Sequence, residues 1–495
     1  MAALPPAPRR LLASLAGAVL LLALPAAAET PRAELGKRLR RFETAWQEAD
    51  AATRARAVAP MSAAVRGFFS LDLVTAAREL DRAWFAVRAA APPDAAERRT
   101  IAFAASAAPL LADAAEETIT VSVAPFYGAD AGGQGAEDAT PAADAATLRL
   151  AVVDAAGTTL AERAFPWPAP AEPVAWRAGP LPEGDHALVA ERVDGERRIP
   201  FARIGISRAT GLAARLAALA AAREGMAGRG SPTARTTVTL LAGILEALAA
   251  DRGQETDYPA LRLLETAEAL AADPGPERIA GAAPGGDLWV ALSDGRVEVP
   301  VRLRVPTGAA GPLPVLFLHH GAGGSENMFF DACGAGRAVG LGVERGWLVV
   351  APRQGLFGLP LDVATMLDIL AESFPIDRRR VFLVGHSMGA GQVARQVGLA
   401  PDAVAAAVAL GGGAGTPGGE AAARVPWFVG AGEQDFGRRG AEGLAARLAA
   451  AGNRVERHLY PDVEHMVVVQ AALDDVFAFL DGVAAAPPRP AAPAP

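Results

Sequence analysis

One cysteine and one lysine, Cys333 and Lys37, occur in 495 residues. A lone cysteine excludes an intrachain disulfide and any cysteine-rich metal site, and Cys333 reads as a small, partly buried apolar residue. With no lysine beyond residue 37, the C-terminal half holds neither a Ser–Lys dyad nor a Schiff-base lysine, and the chain holds no P-loop. Arginine carries nearly all the positive charge. The net charge is −8 at pH 7 and no basic stripe occurs, so nucleic acid is not an expected partner. There are six histidines, which keeps the search for a catalytic base short. No metal and no cofactor is implied. No fixed-period repeat is found, which excludes a propeller or solenoid. Beyond residue 28 no apolar run is long enough to span a bilayer.

At 51% apolar content the chain has material for the two or three domains its length calls for. Residues 1–28 read as a signal peptide: Arg9 and Arg10 supply the positive end, 11–24 the apolar core, and Ala26-Ala27-Ala28 a cleavage site. The expectation is an exported protein, secreted or periplasmic, with no membrane span once cleaved.

Residues 29–115 carry a helical pattern, with Leu35, Leu39, Phe42 and Trp46 on one face. Arg38, Arg40 and Arg41 between them read as solvated. Short alternating strands over 116–207, interrupted by a Gly/Ala-rich loop at 128–146, suggest a β-sandwich-like unit. Residues 208–273 return to helices, 274–286 read as a linker, and 484–495 as a Pro/Ala tail. From 287 to 483 a hairpin turning at Asp294-Gly295 gives way to β–α alternation. That order predicts a mostly parallel sheet with helices on both faces. The fold class is therefore α/β, preceded by helical and β-sandwich-like regions.

The chemistry concentrates at Val381-Phe382-Leu383-Val384-Gly385-His386-Ser387-Met388-Gly389. An apolar strand leads into Gly-x-Ser-x-Gly and then a helix, the context of a nucleophile elbow. A serine hydroxyl needs a base. His465 follows the last strand in a loop at the sheet's carboxyl edge, whereas His386, adjacent to Ser387, should point elsewhere. The base needs an acid to hold its tautomer, and Asp435 follows the strand at 425–429, with Glu433 as competitor. Backbone donors for an oxyanion are expected from Met388 and from the glycine-rich loop after the strand at 315–318, at Ala322 with Gly323 in reserve. Phe329 or Phe330, just beyond that loop, is expected to line an acyl pocket.

Within residues 287–482, His320-Gly321-Ala322-Gly323-Gly324, Ile376-Asp377-Arg378-Arg379-Arg380-Val381 and Gly385-His386-Ser387-Met388-Gly389 resemble the α/β-hydrolase superfamily. They look like secreted esterases of the polyhydroxybutyrate-depolymerase and feruloyl-esterase type. They look equally like prolyl-oligopeptidase-like serine peptidases and dienelactone-hydrolase relatives. The N-terminal half departs from both patterns: no propeller repeats precede the hydrolase region, and simple esterases lack such an extension. The resemblance implies a serine hydrolase acting on small-molecule or polymeric esters through an acyl-enzyme. Its alternatives are a peptidase, or an envelope binding protein with a vestigial hydrolase domain.

Overall fold

The computed structural model describes residues 29–88, 91–127, 146–167, 172–252, 255–281, 286–308, 311–355 and 358–486. The expected leader, nearly all of the loop at 128–146 and the terminal residues 487–495 lie outside them.

Among the described residues, eight strands lie in the N-terminal half: β1 (Phe103–Ala108), β2 (Leu111–Asp113), β3 (Thr118–Pro125), β4 (Thr147–Val153), β5 (Thr159–Pro166), β6 (Val174–Arg177), β7 (Gly184–Asp194) and β8 (Arg197–Ala209). They form a three-stranded sheet, β1-β3-β6, and a five-stranded sheet, β2-β8-β7-β4-β5. Ile119, Val121 and Trp176 of the first sheet share one core with Leu150, Leu188 and Ile204 of the second. Strands β1 and β2 fall in the stretch read as helical. After Phe103 the run Ala-Ala-Ser-Ala-Ala has little strand propensity, and its pairing with β3 over Phe103–Ala108 makes it a strand.

The C-terminal half contributes β9 (Asp287–Ser293), β10 (Glu298–Arg304), β11 (Leu313–His319), β12 (Leu348–Pro352), β13 (Ile376–His386), β14 (Ala406–Leu410), β15 (Trp427–Gly432) and β16 (Val455–Tyr460). One sheet joins them in the order β16-β15-β14-β13-β11-β12-β10-β9. The β9–β10 hairpin and the β10–β12 pair are antiparallel, and every other pair is parallel. This is the α/β-hydrolase fold.

Alternate residues of the central strands serve two different cores. Val315, Phe317, Val381 and Leu383 face one core, with the helices Pro232–Ala249, Ala260–Ala272 and Met388–Leu399. Leu316, Leu318, Phe382 and Val384 face the other, with the final helix Val468–Ala485. A sheet covered on both sides reads as continuous apolar runs, which is why these strands were legible.

The second core also takes in the N-terminal helices Glu29–Glu48, Val58–Phe69 and Leu73–Val87 through Phe42, Met61, Leu80 and Trp84. Arg38, expected in solvent, is buried between these helices. It pairs with Glu34 at 2.8 Å and Asp81 at 3.2 Å, and its Nη2 donates to the Ile101 carbonyl. An arginine at that helical position reads as polar from sequence, but its charge is matched by two buried carboxylates.

Glu43 fixes the first helix to the hydrolase region. Its carboxylate is fully buried and accepts the backbone N–H groups of Cys333, Gly334 and Ala335 at 3.1–3.2 Å. Residues 333–336 all have positive φ, and successive amides in such a run form an anion-holding nest. Gln470, on the final helix, donates to the Glu43 carbonyl at 2.7 Å. Burial pushes Glu43 up to about 7, against the opposing pull of the three amides. The folded value therefore lies above the ordinary 4.5. The contribution to stability is fully present below pH 4.5 and is lost as pH rises through 7. The change amounts to about 3 kcal/mol, at ~1.4 kcal/mol per pKa unit. Urea unfolding of wild type and Glu43→Gln at pH 4.5 and pH 8.5 should show the wild type losing about that much relative to the variant. A constant gap would show that Glu43 is ionised at both pH values.

Candidate active site

Four segments meet at the carboxyl edge of the eight-stranded sheet. Strand β13 ends at His386 and the helix Met388–Leu399 begins at once, which leaves Ser387 at φ 58°, ψ −116°. A non-glycine residue held there carries backbone strain, as a nucleophile elbow requires. A Cβ on Gly389 would collide with the His319 carbonyl oxygen, and one on Gly321 would lie 3.2 Å from Ser387 Cβ. Glycine at both positions lets the elbow and the loop after β11 touch backbone to backbone.

His465 sits on the turn between β16 and the final helix. Its Nε2 lies 2.9 Å from Ser387 Oγ and its Nδ1 lies 2.7 Å from Asp435 Oδ1. Both His465 and Asp435 are buried. The acid at Nδ1 places the ring proton there and leaves Nε2 free to accept the serine proton. Asp435 Oδ1 also accepts from the Gly437 amide at 2.6 Å, which fixes the carboxylate on its turn. Glu433, the competing acid, is exposed, and its amide donates to the Tyr460 carbonyl. The structure thus brings together Ser387, His465 and Asp435, and leaves Glu433 out.

Two residues with no role in the sequence reading hold His465. Glu464 is fully buried and accepts from the amides of Met466 at 2.8 Å and Val467 at 3.0 Å, which closes the turn. Burial pushes its carboxyl up to about 7. His386 Nε2 donates to the His465 carbonyl at 2.8 Å. Burial, and the neighbouring His465, lower His386 to about 3, so it stays neutral. Nothing in the local sequence signals either contact, since both depend on how the two loops meet.

Ala322 lies on the loop that lines a cavity beside Ser387. Met388 is the first residue of its helix, where backbone amides lack intrahelical acceptors. The Gly323 carbonyl is taken by Arg32 Nη2 of the first helix. His320 is neutral: Nδ1 donates to the Gly321 carbonyl and Nε2 accepts the Gln354 amide, while burial lowers its pKa to about 4.

The expectation for Phe329 and Phe330 is corrected. Both rings are buried in the second core and neither lines the cavity, while their neighbour Met328 does. The single helical turn Met328–Asp331 sends successive side chains in different directions. Phe330 packs beneath the Arg302 guanidinium, 4.3 Å from its ring centre. The aromatic wall comes instead from Phe68 and Phe69, more than 250 residues earlier. Phe436, next to Asp435, lays its ring 3.9 Å from the His465 ring and 6.1 Å from that of Phe69, centre to centre.

Among the described residues no group of three or more potential metal-ligating side chains is found, and no helix is long and apolar enough to cross a membrane.

No protein-family model and no curated protein matches the sequence. Solved structures do show similarity over part of the chain. A thermostable esterase is 22% identical over 40% of this chain, with a TM-score of 0.35, and the match spans only 62% of that esterase. An S-formylglutathione hydrolase from Agrobacterium tumefaciens is 16% identical, covering 40% of this chain and 96% of its own, with a TM-score of 0.33. A ferulic acid esterase is 16% identical, covering 40% and 98%, with a TM-score of 0.34.

Proposed function

We propose that this protein is an exported serine hydrolase that cleaves carboxylic esters. One observation carries the reading: the hydroxyl, imidazole and carboxylate of Ser387, His465 and Asp435 stand in line at 2.9 and 2.7 Å on a strained elbow. Export rests on the leader read in residues 1–28.

In this mechanism Ser387 Oγ attacks the acyl carbon as His465 Nε2 takes its proton. Asp435 holds the ring and stabilises the imidazolium. The amides of Ala322 and Met388 receive the oxyanion, and His465 returns the proton to the departing alkoxide. Water, deprotonated by the same imidazole, then frees the acid from Ser387. Esters are favoured over peptides by the cavity. Of its charged lining residues, Arg32 bonds the Gly323 carbonyl, Glu255 accepts from Ser325 and faces Arg353, and Asp331 pairs with Arg40 and Arg302, so each already has a partner within the protein.

A fluorophosphonate probe should label the wild type once, at Ser387, and p-nitrophenyl esters should be cleaved far faster than peptide anilides. The Ser387→Ala variant should fold and remain unlabelled. Labelling at another residue, or faster cleavage of anilides, would overturn the proposal.

A further inference from the structure

The cavity beside Ser387 has a volume of about 270 Å³. Its floor is the hydrolase region: the loop 321–325, Ser387 and His465. Its roof is not. Leu35, Gly36 and Leu39 line it from the first helix, and Met61, Val65 and Phe68 from the helix Val58–Phe69. The contacts fall at helical spacing, so each helix turns one apolar face toward the reacting serine. The roof is fixed in place. Arg32 bonds the Gly323 carbonyl, Glu43 fills its nest, and the Phe68 ring lies against Gly323, where a Cβ would come within 2.9 Å.

We propose that the N-terminal helices form the acyl site of the enzyme, and that it takes an unbranched aliphatic chain of medium length. This rests on the ester-hydrolase reading above. At about 30 Å³ for each water-sized group, the cavity holds about nine such groups, which fits an acyl chain of roughly six to eight carbons with its carbonyl at Ser387. The leucine, methionine, valine and phenylalanine side chains of the roof reward each added methylene. Hydrolase and helical segments therefore form one catalytic unit, the first supplying the chemistry and the second selecting the chain.

Gly36 gives a direct test. A Cβ added there meets no atom within 4 Å, and leucine is a better helix former than glycine. The substitution Gly36→Leu should therefore fill cavity space without unfolding the helix. With p-nitrophenyl esters from acetate to dodecanoate, the wild type should gain about fourfold in kcat/KM per methylene, up to six to eight carbons. Gly36→Leu should move that optimum to a chain shorter by two carbons or more, and Val65→Ala, which widens the cavity, to a longer one. An unchanged optimum in both variants, or equal kcat/KM across the series, would overturn the proposal.

Calorimetry separates the two readings. Octanoate should bind Ser387→Ala at least tenfold more tightly than acetate does, and adding Gly36→Leu should remove the difference. Octanoate binding without turnover of any ester would leave the acyl site standing and sink ester hydrolysis. Turnover of acetate esters with no chain-length dependence and no octanoate binding would do the reverse.

Discussion

Replacing Ser387 with alanine should lower turnover of an activated ester by about 10⁶-fold, and adding His465→Ala to that variant should cost almost nothing more. The hydroxyl and the imidazole share one hydrogen bond of 2.9 Å, and every proton the ring moves serves a group bound at, or attacking the acyl held by, that oxygen. Without the oxygen there is no proton for the ring to take. Without the ring the oxygen stays a neutral alcohol. The residual rate should exceed that in water by about 10³–10⁴, because the oxyanion amides and the binding cavity are intact. Turnover at saturating substrate for the two single variants and the double variant decides the matter. Losses that multiply would mean two independent catalysts and would break the assignment.

Asp435→Asn should lower turnover by about 10⁴ while leaving the fold intact. The Gly437 amide and the His465 Nδ1–H both point at Oδ1 and both require an acceptor there. An amide that presents its nitrogen offers a donor instead, and the ring then moves its proton to Nε2, where it can no longer accept one from Ser387. An amide that presents its oxygen keeps those bonds but carries no charge to stabilise the imidazolium. Glu433→Gln should change turnover by less than about tenfold, because the side chain is exposed and no bond to the ring is removed. Both variants measured on one ester, with melting temperatures alongside, separate the two acids. A large loss in Glu433→Gln with Asp435→Asn near wild type would hand the role to Glu433.

Ser387, Asp435 and His465, which the structure brings together, were legible because each follows the carboxyl end of a parallel strand, and parallel strands deliver those ends to one edge. The mostly parallel sheet was legible because β11, β12, β14 and β15 are buried along their whole length and read as apolar runs. The substrate side was not legible. Leu35 and Leu39 show in the sequence as apolar positions on a helix, and that much is correct. Which surface they cover is decided by contacts spanning about 290 residues, such as Glu43 with Cys333. Phe329 and Phe330 failed because direction around a single turn of helix depends on packing that the sequence does not display. Arg38 failed because its two buried partners, Glu34 and Asp81, lie four and 43 residues away.

The nest around Glu43 also sets an order of assembly. Its amides come 290–292 residues after the glutamate, and Gln470 comes 427 residues after it. Contacts of such sequence separation close late, since the long intervening loop must be ordered first. During synthesis the first helix emerges early and has no seat for its carboxylate until residues 333–335 have followed, and Gln470, which bonds the Glu43 carbonyl, comes later still. The wall proposed to select the acyl chain is therefore completed only when almost the whole polypeptide is in hand.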